Sequence, residues 1–166
     1  MDLSLRTETA DDTRAVGEAL GPLLRVHDVV LLTGELGAGK TTFVHGVAKG
    51  LGATEHVASP TFTLVREYVT GRVPLAHVDV YRLDRIQDVM DLALEELEDG
   101  ACALLVEWGD AVEELLPDDH LTVELVSEDA TGRSEVRRIR LRPQGPSWSA
   151  RAEELELAAG PWRTPS

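Results

Sequence analysis

Cysteine is nearly missing from this chain of 166 residues. The single one, Cys102, cannot form a disulfide within the chain and cannot build a cysteine-based zinc site, so a disulfide scaffold is excluded. Lying in the apolar run of residues 101–106, it reads as a small buried hydrophobe. Histidine is present five times, at His27, His45, His56, His77 and His120, but in no metal-ligand spacing. All five are expected to serve structure or surface. Long apolar runs are also lacking: none approaches the ~18 residues a membrane-spanning helix needs, and no basic-then-apolar leader opens the chain. A cytoplasmic protein is expected. A hydrophobic content of 43% with 28% charged residues fits a globular chain with one core, not a disordered one.

Positive charge is scarce where it matters for nucleic acid. The formal net charge is −14. Residues 79–129 hold 2 basic and 17 acidic groups, whereas residues 130–166 hold 7 basic and 4 acidic ones. An acidic middle repels phosphate backbones, so no strong direct contact with nucleic acid is expected. The acidic segment otherwise reads as a solvated face.

The chain interleaves strand and helix patterns. Leu3 to Leu5 reads as a short edge strand. Thr9 and Asp12 have the spacing of a capping box, which predicts a helix from about Ala10 with Val16, Leu20 and Leu23 on one face. Residues 28–33 form an unalternating apolar run, as in strands covered on both faces. A helix is predicted over 41–51, strands over 61–69 and 75–81 around a Thr70-Gly71 turn, a helix after Asp84 ending at Gly100, and a strand over 101–106. A short helix over 111–116 and a hairpin around Gly132 follow. The pattern predicts an α/β fold: a P-loop NTPase-like three-layer sandwich with a mainly parallel central sheet and antiparallel hairpin additions. Residues 1–142 are read as the P-loop ATPase domain. Residues 143–166 are read as a C-terminal tail, partly helical near 150–159 or disordered.

The chemistry is carried by Gly34-Glu35-Leu36-Gly37-Ala38-Gly39-Lys40-Thr41, which matches G-x-x-x-x-G-K-[ST]. A triphosphate must be wrapped by backbone N–H groups, and side chains would block that approach, hence the glycines. The loop opens a helix whose N-terminal dipole favours anions. Lys40 is placed to reach the outer phosphates and the Thr41 hydroxyl to ligate Mg²⁺. An apolar strand before the loop and an amphipathic helix after it are the context the motif requires. Such a loop is usually completed by an acid closing a nearby apolar strand. Glu107, after Ala103-Leu104-Leu105-Val106, fits best, and Asp79, after Ala76-His77-Val78, is the second candidate. One can hold the metal while the other orients the attacking water; a plain strand-end carboxylate is the alternative for each. Ser59-Pro60-Thr61 offers hydroxyls that can sense a γ-phosphate, or is a plain loop. Trp108 either covers a nucleotide or partner, or packs.

The nucleotide can be narrowed. The chain contains no asparagine, so the Asn-Lys-x-Asp reader of guanine is absent, and its D-x-x-G at Asp129 to Gly132 falls in a hairpin turn. ATP is favoured over GTP. A small-molecule P-loop kinase is the alternative activity. Such kinases close an arginine-rich lid over the phosphates, whereas the corresponding stretch here is acidic, with only Arg82 and Arg85.

Four blocks taken together, residues 34–42, Ser-Pro-Thr-Phe-Thr-Leu-Val at 59–65, His-Val-Asp-Val-Tyr-Arg-Leu at 77–83 and Val-Glu-Trp at 106–108, resemble the TsaE (YjeE) family over roughly residues 1–142. The Walker loop is generic; the other three blocks are more specific. That resemblance implies a Mg²⁺-dependent ATPase of tRNA threonylcarbamoyladenosine biosynthesis, acting with TsaD and TsaB and reaching tRNA through that complex; as no catalytic arginine can be assigned from the sequence, hydrolysis is expected to be slow alone and stimulated by partners. It implies that Thr41 and Glu107 serve Mg²⁺, that Gly34, Leu36, Gly37, Ala38, Gly39, Lys40, Thr41 and Thr42 cradle ATP, and that Asp79 and Trp108 belong to the site. Lys40, Asp79 and Glu107 are the expected catalytic residues. The same resemblance places Thr9 or Thr13 near the adenine and Arg133 near the nucleotide. Gly109-Asp110 departs mildly from the family pattern and leaves the role of Asp110 open.

Overall fold

The computed structural model describes residues 2–57, 65–79, 86–107 and 112–165. The Ser59-Pro60-Thr61 block, Tyr81 to Leu83 with Arg82, Asp84 and Arg85, and Trp108 with Asp110 lie outside the described residues. Elements run in the order β1 (Leu3–Thr7), α1 (Ala10–Leu20), β2 (Val29–Thr33), α2 (Lys40–Gly50), β3 (Val65–Tyr68), β4 (Leu75–Asp79), α3 (Ile86–Asp99), β5 (Ala103–Glu107), β6 (Leu121–Ser127), β7 (Arg137–Pro143), α4 (Gly145–Ser149) and α5 (Ala152–Ala159). At the expected short helix after 111 there is a single 3₁₀ turn, Glu113–Leu115, ahead of Pro117. Proline lacks the N–H a longer helix would need.

Seven strands form one sheet in the order β1-β7-β6-β2-β5-β4-β3. The four central strands, β6, β2, β5 and β4, are mutually parallel. The β3–β4 and β6–β7 hairpins and the edge strand β1 add antiparallel pairs at both margins. This is the α/β sandwich with parallel centre and hairpin additions that the pattern predicts. β2, Val29-Val30-Leu31-Leu32-Thr33, is buried at every position. Its side chains alternate between two cores: Val30 and Leu32 join the larger one with α1, α2 and α5, while Val29 and Leu31 face the smaller one with α3. Each such buried aliphatic side chain contributes roughly 1.5–3 kcal/mol.

Helix α1 starts where the capping box predicts. Thr9 Oγ1 accepts from the Asp12 N–H at 3.1 Å, and Asp12 Oδ2 accepts from the Thr9 N–H at 3.1 Å. It then crosses α2 with almost no spacing. A Cβ added at Gly46 would lie 1.9 Å from the Arg14 carbonyl oxygen, and one at Gly17 would lie 2.3 Å from that of Phe43. The backbones touch because glycine leaves no side chain between them. This seats the start of α1 beside the loop that opens α2.

Residues after β7 add two helices to the larger core. Trp148, Leu155 and Ala159 are buried in it, and Asp119 accepts the N–H groups of Ser147 (3.0 Å) and Trp148 (3.3 Å) at the start of α4. Arg151 reaches under β2, donating to both oxygens of Asp28 at 2.7 Å and to the Leu23 carbonyl at 2.8 Å. Its guanidinium carbon lies 4.0 Å from the Trp148 ring centroid. Both charged partners are almost fully buried, which demands this complete pairing.

Candidate functional site

In a parallel sheet the crevice at the carboxyl ends of the strands is the natural place for a ligand. β2, β4 and β5 all end there, at Thr33, Asp79 and Glu107. The glycine loop leaves β2 at Gly34 and turns into α2 at Lys40. Gly34 has φ +138°, and a Cβ on it would sit 2.3 Å from the Leu125 carbonyl oxygen, so only glycine fits. Gly39, the residue capping α2, has φ +100°, a left-handed backbone that L side chains avoid. Both signature glycines are therefore required by geometry.

Lys40 is buried, and its ammonium donates to the carbonyls of Gly34 (2.5 Å) and Glu35 (2.9 Å). Thr41, one residue on, donates its hydroxyl to Glu107 Oε1 at 3.3 Å. Glu107 is reached from a different strand because β5 lies beside β2 with Leu32 opposite Glu107. Asp79 stands opposite Glu107 on β4. Leu36, Gly37, Gly39, Lys40, Thr41, Thr42, Asp79 and Glu107 line one hollow of about 240 Å³. Thus eight of the sequence-derived residues share one cavity. The Mg²⁺-type candidates Thr41 and Glu107 are in contact across it.

The remaining expectations fall as follows. Gly34 forms the floor of the loop and Ala38 is buried beneath it. Thr13 is buried on α1, sharing a hydrogen bond of 2.9 Å with Thr7, and its methyl lies 3.6 Å from where a Gly39 Cβ would be. Thr9 uses its hydroxyl in the α1 cap. Arg133 is exposed in the β6–β7 turn. A guanidinium bonded to the loop is that of Arg137, which donates to the carbonyls of Ala38 (2.9 Å) and Gly37 (3.1 Å). Trp108 lies outside the described residues.

Two residues of the site escape a reading of the sequence. Arg137 is one of four arginines in the strand Arg137–Pro143, and nothing in the sequence marks which of them turns to the loop. His77 is the other. Expected to be structural or superficial, it is completely buried and its Nε2 lies 2.8 Å from Glu107 Oε2. A signal was present: in His77-Val78-Asp79 the two-residue strand period puts His77 on the same face as Asp79.

A strand, a glycine-rich turn with left-handed residues, a helix opened by Lys40 and Thr41, and strand-end acids on neighbouring parallel strands define a P-loop domain. Comparison with known proteins narrows this. The family model described as threonylcarbamoyl adenosine biosynthesis protein TsaE matches residues 7–136. The tRNA threonylcarbamoyladenosine biosynthesis protein TsaE of Bacillus subtilis is 44% identical over 121 residues, 73% of this chain and 75% of that protein. Its counterpart in Streptomyces coelicolor is 40% identical over 151 residues, covering 89% of this chain and 99% of that one. A crystal structure of Bacillus subtilis YdiB superposes with a TM-score of 0.78 at 35% identity, covering 95% of each chain. The chain belongs to the TsaE family.

Proposed function

We propose that this protein binds magnesium-ATP in the hollow between the glycine loop and the strand-end acids, hydrolyses it slowly, and serves tRNA threonylcarbamoyladenosine biosynthesis in the cytoplasm together with TsaD and TsaB. The observation that carries the proposal is the contact of Thr41 Oγ1 with Glu107 Oε1 at 3.3 Å beside the buried Lys40 ammonium. Family membership and the matched relatives, each named for that tRNA modification, support the pathway.

The donor set suits the ion. Mg²⁺ prefers hard oxygens, and two ligands at right angles on an octahedral ion with ~2.1 Å bonds lie about 3 Å apart. Thr41 and Glu107 are near that separation, with Asp79 alongside. When bound, Mg²⁺ neutralises charge on the phosphates and polarises them. The chain's own groups supply the rest. The positive end of α2 and the N–H groups of the loop bind the triphosphate. Lys40 contributes a point charge held at the loop by carbonyls that phosphate oxygens can replace. Asp79, on the strand beside Glu107, is placed to orient a water. Among the described residues Arg137 is engaged with loop carbonyls, and a charge-stabilising arginine is expected from a partner, as in other P-loop NTPases awaiting one in trans.

The test is phosphate release and ATP binding by the wild type, Lys40→Ala and Glu107→Ala, with and without TsaB and TsaD. Glu107→Ala is expected to lower hydrolysis about a hundredfold while ATP still binds. Partners are expected to raise the wild-type rate. A rate as high for the isolated chain as for the complex, or a phosphorylated small-molecule acceptor among the products, would overturn the proposal.

A further inference from the structure

His77 is buried on all sides, at 0% exposure, and meets the polar site through Glu107, which lines it. It sits on β4 opposite Leu105 of β5, two residues before Asp79, which faces Glu107. The pleat therefore turns His77, Asp79 and Glu107 to one side of the sheet, the side of α2. His77 and Glu107 are diagonal neighbours, a distance two long side chains can bridge. Glu107 uses its two oxygens differently. Oε2 lies 2.8 Å from His77 Nε2, and Oε1 receives the Thr41 hydroxyl.

A carboxylate oxygen can only accept, so the proton of this contact sits on Nε2. The second ring nitrogen, Nδ1, is buried with no hydrogen-bond partner among the described residues. A buried N–H left unsatisfied forfeits its hydration with nothing in return. A bare lone pair at Nδ1, with Tyr68's ring 6.3 Å away, is the arrangement that avoids stranding a donor. One tautomer is thereby selected, and it is the one that donates to Glu107.

We propose that His77 is a positioning residue which, through its Nε2–H, pins Glu107 Oε2 and so presents Oε1 towards Thr41, presetting the pair that would hold a divalent cation. The inference rests on the reading of this hollow as a metal-nucleotide site. A glutamate has three side-chain torsions to fix, and a second partner fixes them before the ion arrives. Outer partners of this kind are worth about 10- to 100-fold in metal affinity.

The experiment compares His77→Leu, which keeps bulk without a donor, with His77→Gln, whose amide nitrogen reaches about as far as Nε2. Mn²⁺ affinity is measured by electron paramagnetic resonance in the presence of a non-hydrolysable ATP analogue, with Glu107→Ala as reference. His77→Leu is expected to weaken Mn²⁺ by about 10- to 100-fold and His77→Gln by no more than about threefold. Wild-type affinity in His77→Leu, or equal losses in both variants, would overturn the role of His77. Glu107→Ala without effect on Mn²⁺ would sink the metal-site reading itself, which separates the two failures. Should His77→Leu fail to fold, long-range ¹H–¹⁵N spectra of the wild type decide: protonated Nε2 with bare Nδ1 supports the proposal, and a protonated Nδ1 with bare Nε2 rejects it.

Discussion

Arg137 and Ala38, ninety-nine residues apart, are joined by a hydrogen bond of 2.9 Å from the guanidinium Nε to the carbonyl oxygen. A second bond, of 3.1 Å, runs from the same side chain to the Gly37 carbonyl. The peptide unit is planar and trans, so a carbonyl aimed at Arg137 turns the following N–H the opposite way. The start of β7 thus sets which face of the loop shows its donors. Replacing the guanidinium by an apolar chain of similar length, Arg137→Met, removes both bonds together with those to Ser127, Ser134 and Val136. The part-buried bond to Ala38 is worth about 1.5–3 kcal/mol and the exposed one to Gly37 less, shared between folding and loop shape. The expected result is an ATP dissociation constant raised about tenfold, measured by calorimetric titration, with an unchanged circular dichroism spectrum.

The crossing of α1 over α2 has no room for a methyl group. At Gly46 an added Cβ would meet the Arg14 carbonyl at 1.9 Å, and this neighbour is backbone, which cannot swing aside. Gly46→Ala is therefore expected to lower stability by about 3 kcal/mol, at the upper end for overpacking. Urea denaturation measures it. Gly160, where an added Cβ meets nothing within 4 Å and φ is −46°, is the control free of both clash and backbone strain.

Arg151 and Asp28 form a bidentate pair in which both side chains are almost wholly withdrawn from water. Removing one partner strands the other charge. Arg151→Ala is expected to cost about 3–5 kcal/mol, and the melting temperature should fall accordingly. Replacing both residues together with apolar ones is expected to cost less than either single change, which a double-mutant cycle reads directly.

Glu55 ties the loop after α2 to the β3–β4 turn. The Thr70 hydroxyl is its strongest partner, and the N–H groups of Val69 (2.7 Å) and Thr70 (3.0 Å) add to it. These donors hold its carboxyl at about 2, well below the usual carboxylate range. A depressed folded-state value means that the stabilisation is full above the ordinary unfolded value near 4.5 and is lost as pH falls through about 2. Carbon-13 titration of the Glu55 carboxyl should show ionisation persisting well below pH 4. Thr70→Val should bring it back towards the ordinary value.

Much of the fold and part of the site are legible in the residue order. The buried run of β2, the Thr9–Asp12 box and the glycine loop are local signals, and each fixes its own geometry. Glu107 and Asp79 were legible because an acid closing an apolar strand lands at the carboxyl edge of a parallel sheet. Arg137 was not, and for His77 only its face was legible, since the partners of both depend on which strand lies next to which. Strand order is set by the sum of long-range packing, which no window of the sequence contains. The role of the glycines at 17 and 46 shows only where the two helices cross. The expected weak helix near 150–159 is present at Ala152–Ala159, and its neighbour Trp148 is part of the main core.

Calorimetric titration of the protein with ATP in the presence of Mg²⁺, for the wild type and Lys40→Ala, tests most directly whether the loop from Gly34 to Thr42 is a triphosphate cradle. Saturable one-to-one binding that Lys40→Ala weakens by at least about tenfold is the expected result. Absence of binding by the folded wild type, or equal affinity in both proteins, would contradict it.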